Sequence, residues 1–223
     1  MGPTPGRARW IEVAVLAFAA LMLAVGGWAA AAAVGRQHVL AAFTTDLAGR
    51  SAAQRTNIAL SVARLDGVVV PRGAAFSFNE VVGQRLLEQG YEKAPAFEGG
   101  GVSMVAGGGV CQVSSTVYNA ALLAGMRILE RSPHVSAVRS VGRGRDAAVL
   151  YGKWDLRWSN PYPFTVCVRG RVQGDRLVVE ILGARPRPVT VSVTVDVART
   201  GTAQTWRRVG ARTELISEDR YLP

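Results

Sequence analysis

The sequence predicts an α+β domain held behind an N-terminal transmembrane helix, with helices first and a mainly antiparallel sheet after. Three observations predict it. Val13 to Val34 is an uninterrupted uncharged run rich in Ala, Leu and Val, and at about 1.5 Å per residue it spans roughly 33 Å, enough to cross a bilayer. Apolar residues then recur at helical spacing through the first part of the remaining chain. After Ile128 the pattern changes to short alternating pieces bounded by turns. With 223 residues, 49% hydrophobic and 19% charged, the chain can bury an ordinary core and leaves room for one domain of typical size.

Arg7 and Arg9 precede the apolar run, so the positive-inside tendency makes residues 1–10 a cytoplasmic tail. Residues 11–34 are then a transmembrane helix or signal anchor, and the rest is extracytoplasmic on a single-pass cell-membrane protein. A cleavable signal peptide is the competing reading, since Trp28 to Ala33 offers small residues, but the run exceeds the usual h-region. Both readings export the domain, taken as residues 38–197, with 198–223 as a polar C-terminal tail. Of the 26 Lys and Arg, only Arg7 and Arg9 precede residue 35, and Glu12 is the one acidic residue there, so 24 basic face 15 acidic residues beyond it. A basic domain outside the cell suits lipid headgroups, wall polymers or substrate carboxylates. Nucleic acid is excluded as a partner across a membrane, and no aromatic-basic recognition motif is present.

From His38 to Leu65 the spacing of Leu40, Phe43 and Leu47, then of Ile58, Val62 and Leu65, predicts two helices separated by Gly49-Arg50-Ser51. Val68 to Val70 and Phe76 to Asn79 read as short strands around a Pro71-Arg72-Gly73 turn, with a brief helix over Gly83 to Gln89. Six glycines between Ala94 and Gly109 predict a flexible or tightly curved loop. Gln112 to Met126 reads as a helix, placing Cys111 at its start. Ala147 to Tyr151, Trp154 to Trp158, Phe164 to Val172 and Arg176 to Leu182 read as strands of an antiparallel meander. Gly174-Asp175 is one of its turns, and Val189 to Val197 is a further strand.

A glycine-rich approach (Gly107, Gly108, Gly109), then Cys111, then a helix can make a nucleophile, because backbone N–H groups and the positive helix end favour thiolate. Ser114, Ser115 and Thr116 would add hydroxyl donors, and Gln112, Tyr118, Asn119 and Tyr151 further hydrogen bonds to substrate. The competing readings are a disulfide between Cys111 and Cys167, the two cysteines of the chain, or a buried inert thiol. A catalytic thiol wants a base. Of the two histidines, His38 follows the membrane span, which leaves His134 after Pro133. Asp146 or Asp155 would orient the imidazole, and Arg143 or Arg145 would grip a carboxylate. No metal-ligand spacing or cofactor motif appears.

At these residues the sequence resembles the VanW-like family, named after a protein of vancomycin B-type resistance clusters. The resemblance runs from about Thr44 to Gly183 and includes Asn57, Pro71 to Asn79, Gly83, Gly90-Tyr91, Gly107 to Ala121, Glu130-Arg131, His134, Gly144 to Gly152, Asp155 and Asn160. It implies a cell-envelope role on peptidoglycan stem peptides, and members look like cysteine-dependent L,D-transpeptidases. Cys111 would be nucleophile and His134 its base, while Cys167 falls outside the motif blocks. The alternatives are a non-catalytic module binding peptidoglycan or a glycopeptide, and a scaffold for envelope enzymes.

Overall fold

Ser51 explains where the first helix starts. Its hydroxyl accepts from the Gln54 N–H while the Gln54 side chain accepts from the Ser51 N–H, a reciprocal cap that satisfies two donors a helix start leaves free. The computed structural model describes residues 37–98 and 101–222, and in it helix α1 (Ala52–Leu65) buries Ile58, Val62 and Leu65 on one face. Those residues meet a four-stranded antiparallel sheet in the order β1 (His38–Asp46), β9 (Arg176–Gly183), β8 (Val166–Gln173), β2 (Val69–Val70). A second helix, α3 (Val110–Leu123), packs beside α1 and over β1 and β9, presenting Val113, Val117, Ala120 and Ala121 to the same core. Each buried Val, Leu or Ile contributes about 1.5–3 kcal/mol relative to exposure, so this helix-on-sheet layer is the platform for everything else.

Three smaller pieces surround it. A three-stranded sheet orders β3 (Ala75–Ser77), β7 (Arg157–Ser159) and β6 (Arg127–Glu130), with Phe76 stacked on Trp158 at 4.8 Å. A hairpin pairs β4 (Lys93–Glu98) with β5 (Gly101–Ala106) and runs straight into Gly107. A third sheet orders β10 (Val191–Val197), β11 (Thr202–Val209) and β12 (Arg212–Arg220).

The α+β class, α1, the Cys111 helix, the Gly174-Asp175 turn and β10 agree with expectation, and several elements do not. Residues 38–46 are a strand, not a helix. A bulge between Val39 and Ala41 puts Leu40 and Ala41 on successive inward positions, so Leu40, Phe43 and Leu47 fall at the three- and four-residue spacing of a helix. The expected loop from Ala94 to Gly109 is mostly the β4–β5 hairpin. The brief helix expected over Gly83 to Gln89 is a single 3-10 turn at Leu87–Gln89, and an unexpected short helix precedes it, α2 (Phe78–Val82), which Gly83 ends with φ +74°. Residues 147–151 form only isolated bridges, Ala148 to Ser132 and Leu150 to Trp154. The later strands divide among three sheets, β7 in one, β8 and β9 in another and β10 in a third, instead of forming one meander. Residues 198–223, expected as a polar tail, carry β11 and β12. The apolar run at 11–34 lies outside the described residues, among which no helix is long and apolar enough to cross a membrane.

Candidate active site

Cys111 occupies the first turn of α3, two residues after a Gly109 N-cap at φ +101°. The glycines before it are required by packing. A Cβ on Gly108 would come within 2.3 Å of the Ala94 carbonyl oxygen, and buried Asn57 donates to the Gly108 and Glu92 carbonyls while accepting from the Glu92 N–H. Both cysteines are free and half-buried, so no disulfide joins Cys111 to Cys167. The Cys111 Sγ donates to the Val149 carbonyl at 3.6 Å.

His134 faces the thiol, and Asp146 holds His134. Asp146 is buried and its carboxylate accepts four hydrogen bonds. Oδ2 takes the His134 backbone N–H at 2.7 Å and pairs with His134 Nδ1 at 2.6 Å; Oδ1 takes Arg131 Nη2 at 2.9 Å and the Tyr221 hydroxyl. With Nδ1 committed to the carboxylate, Nε2 is the ring nitrogen left for the thiol. Arg131 also donates to the Asp146 carbonyl and pairs with Asp219, and Tyr221 accepts the Gly144 N–H at 2.7 Å. A buried carboxylate therefore has a buried cation and four donors around it, the condition under which it remains ionised.

The electrostatics follow from this packing. Burial works against a charged Cys111, but the hydrogen bond and charge of His134 outweigh it, helped by the Arg85 charge, and the thiol falls below its ordinary range. Burial likewise disfavours imidazolium, yet the Asp146 hydrogen bond and the neighbouring thiolate push His134 up to about 9. Asp146 is pulled below the usual carboxylate range by His134 and Arg131 against its own burial. The Cys111 and His134 shifts both favour the thiolate–imidazolium form of the pair, the nucleophilic form of a cysteine site.

The polar residues of α3 do a different job from the one expected of them. Ser114, Ser115, Thr116, Asn119 and Gln112 are buried and internally bonded. Ser114 and Ser115 both donate to the Cys111 carbonyl. Ser114 shares that one proton with the Ala147 carbonyl, the nearer acceptor at 2.6 Å, Ser115 accepts the Ala147 N–H at 2.9 Å, and Asn119 donates to the Arg145 carbonyl. These bonds staple the Asp146 segment to the helix that carries the thiol. Gln112 and Thr116 instead tie α3 to β1 through Thr45 and Asp46. Tyr118 is fully buried under the Arg131 guanidinium, its hydroxyl without a hydrogen-bond partner among the described residues. Arg145 bonds Asn119 Oδ1 and lies over Phe43, and Arg143 lies over Tyr221. Asp155 accepts from Ser77 and the Asn79 N–H, so it caps the α2 turn and orients no imidazole. Of the expected substrate-binding side chains, Tyr151 is exposed, two residues beyond the carbonyl that the thiol meets.

Tyr221, Asp219 and Arg85 were not anticipated as site residues. The only signal for the first two was a lone tyrosine two residues after an aspartate in a stretch otherwise read as a polar tail. Among the described residues no cluster of His, Cys, Asp and Glu could hold a metal ion.

Residues 53–182 match the family described as VanW like protein. The uncharacterized protein YoaR of Bacillus subtilis (strain 168) is 41% identical over 125 residues, covering 56% of this chain and 41% of that protein. The vancomycin B-type resistance protein VanW of Enterococcus faecalis (strain ATCC 700802 / V583) is 24% identical over 130 residues, covering 56% of this chain and 47% of that one. The match therefore spans less than half the length of either relative. No solved structure matches the chain.

Proposed function

The chain belongs to the VanW-like family, and from that premise we propose that it is a membrane-anchored, extracytoplasmic cysteine acyltransferase acting on peptidoglycan stem peptides. The observation that carries the reading is the Cys111–His134–Asp146 arrangement, with Asp146 ionised and hydrogen-bonded to the imidazole that faces the thiol. The Cys111 thiolate attacks the carbonyl carbon of the residue preceding a terminal D-amino acid. A C–S bond forms, the C–N bond breaks, and His134 passes its proton to the leaving amine. An amine of a second stem then attacks the thioester, gives a proton to His134, and restores the thiolate as the C–S bond breaks. Water as acceptor makes the same cycle a carboxypeptidase. The domain works outside the cell, tethered through residues 11–34.

The test is incubation of the purified protein with muropeptide tetrapeptides and mass spectrometry of the products. Wild type is expected to release the terminal amino acid and yield cross-linked or trimmed peptides, and Cys111→Ala neither. Equal product from both proteins would end the catalytic assignment. Binding without turnover in both would make the domain a peptide-binding module.

A further inference from the structure

Arg85 lies beside the nucleophile, its charge in no ion pair among the described residues. Its aliphatic stem covers Gly107, where a Cβ would come within 2.8 Å of the Arg85 Cβ and Cγ, so the glycine lets the arginine lie against the backbone leading to Cys111. Its guanidinium sits 5.7 Å from the Phe78 ring centroid and donates to the Gly83 carbonyl and to Asn79 Oδ1, both at 2.9 Å. Asn79 in turn donates to the Trp154 carbonyl at 2.8 Å and reaches the Leu150 carbonyl, next to the Val149 oxygen that meets the thiol. A guanidinium has five N–H donors, and the two bonds to neutral oxygens fix its plane while leaving three.

Among the described residues Arg85 has no carboxylate within ion-pair distance, whereas Arg131 is paired with Asp146 and Asp219. The Arg85 and Cys111 charges stabilise each other. In the thiolate–imidazolium form the Cys111 and His134 charges match each other, which leaves the Arg85 charge over beside them. A fixed, half-buried cation with free donors fits a planar carboxylate. In an acyl-transfer substrate cleaved one residue from its end, the terminal carboxylate lies about one residue step, roughly 3.8 Å of chain, beyond the attacked position.

We propose that Arg85 is the substrate's carboxylate anchor, taking the free C-terminal α-carboxylate of the amino acid released when Cys111 is acylated. This deepens the acyl-transfer reading and rests on it. It restricts the donor to chains with a free carboxyl end one residue past the scissile bond, and it excludes cleavage in the middle of a longer peptide.

Two measurements test it. In full-length protein carrying Cys167→Ser, the alkylation rates of Cys111 by iodoacetate and by iodoacetamide are compared. A change in thiolate content affects both reagents alike, so their ratio reports the anion subsite. The ratio should fall at least fivefold in Arg85→Met and recover in Arg85→Lys, which keeps the charge and guards against a folding artefact. An unchanged ratio in Arg85→Met overturns the proposal. Tetrapeptide with a free C-terminus is then compared with the same peptide amidated at that end. Wild type should show a KM at least tenfold lower for the acid, and Arg85→Met should erase the difference with a smaller change in kcat. Equal KM for acid and amide in wild type overturns the anchor while leaving acyl transfer intact. Absence of turnover with either peptide, together with a ratio that falls as expected, sinks acyl transfer and keeps the anion site.

Discussion

Each of the four hydrogen bonds to Asp146 fixes one variable of the chemistry at His134. The two from His134 set the tautomer and the ring orientation, and those from Arg131 and Tyr221 hold the carboxylate ionised. Asp146→Asn keeps the volume and removes the charge, so kcat is expected to fall on the order of a thousandfold in the tetrapeptide assay, with KM little changed. The pH dependence has a definite sign. Cys111 loses its proton below the ordinary thiol range and His134 keeps its proton to about 9, so kcat/KM should rise as the thiol ionises and fall near pH 9, as apparent values of the coupled pair. Cys167 is pushed the other way, by burial and by the charge of Asp66. Limiting iodoacetamide at pH 7 should therefore label Cys111 at least tenfold faster, as counted by peptide mass spectrometry. Equal labelling would contradict an activated thiol. The sequence made Cys111, His134 and Asp146 legible, because a glycine run before a helix and a scarcity of histidines are local facts. It gave no means of distinguishing the hydroxyls of α3 that reach substrate from those that bond the neighbouring segment, since that depends on where Ala147 lies.

At the scale of elements, close approach of backbones decides which residues are tolerated. Gly108 passes so near β4 that any side chain must push the hairpin away. Gly108→Ala should cost about 3 kcal/mol, the upper part of the range for overpacking, and lower Tm by roughly 6–12 °C; differential scanning calorimetry measures it. Gly49, by contrast, has nothing within reach of a Cβ and only its positive φ to lose. α1 was readable because its cap and its apolar face agree, while β1 was misread because one extra residue at the bulge shifted an alternating pattern into a helical one. The β4–β5 hairpin was hidden for a related reason: glycines dominate its flanks, and pairing, not side-chain pattern, makes it a sheet.

Across the whole molecule the site is assembled from distant segments. The family match ends at residue 182, yet β12 and the residue just past it supply Asp219 and Tyr221 to the Arg131–Asp146 pair. The double variant Asp219→Asn with Tyr221→Phe should bring the His134 titration, followed by NMR of the imidazole, down from about 9 toward its ordinary value, with a parallel loss of Cys111 labelling selectivity. A His134 titration that does not move would assign the C-terminal sheet a purely structural part. No local pattern announced this support, because its residues meet only after three sheets and two helices have packed.

Tyr221 follows Asp146 by 75 residues in the chain, and a ribosome delivers it only after the nucleophile has long since emerged. A polypeptide made from its first residue holds the Arg131–Asp146 pair without its Asp219 and Tyr221 partners for that interval. The buried charge network behind His134 is therefore complete only once the last hairpin docks.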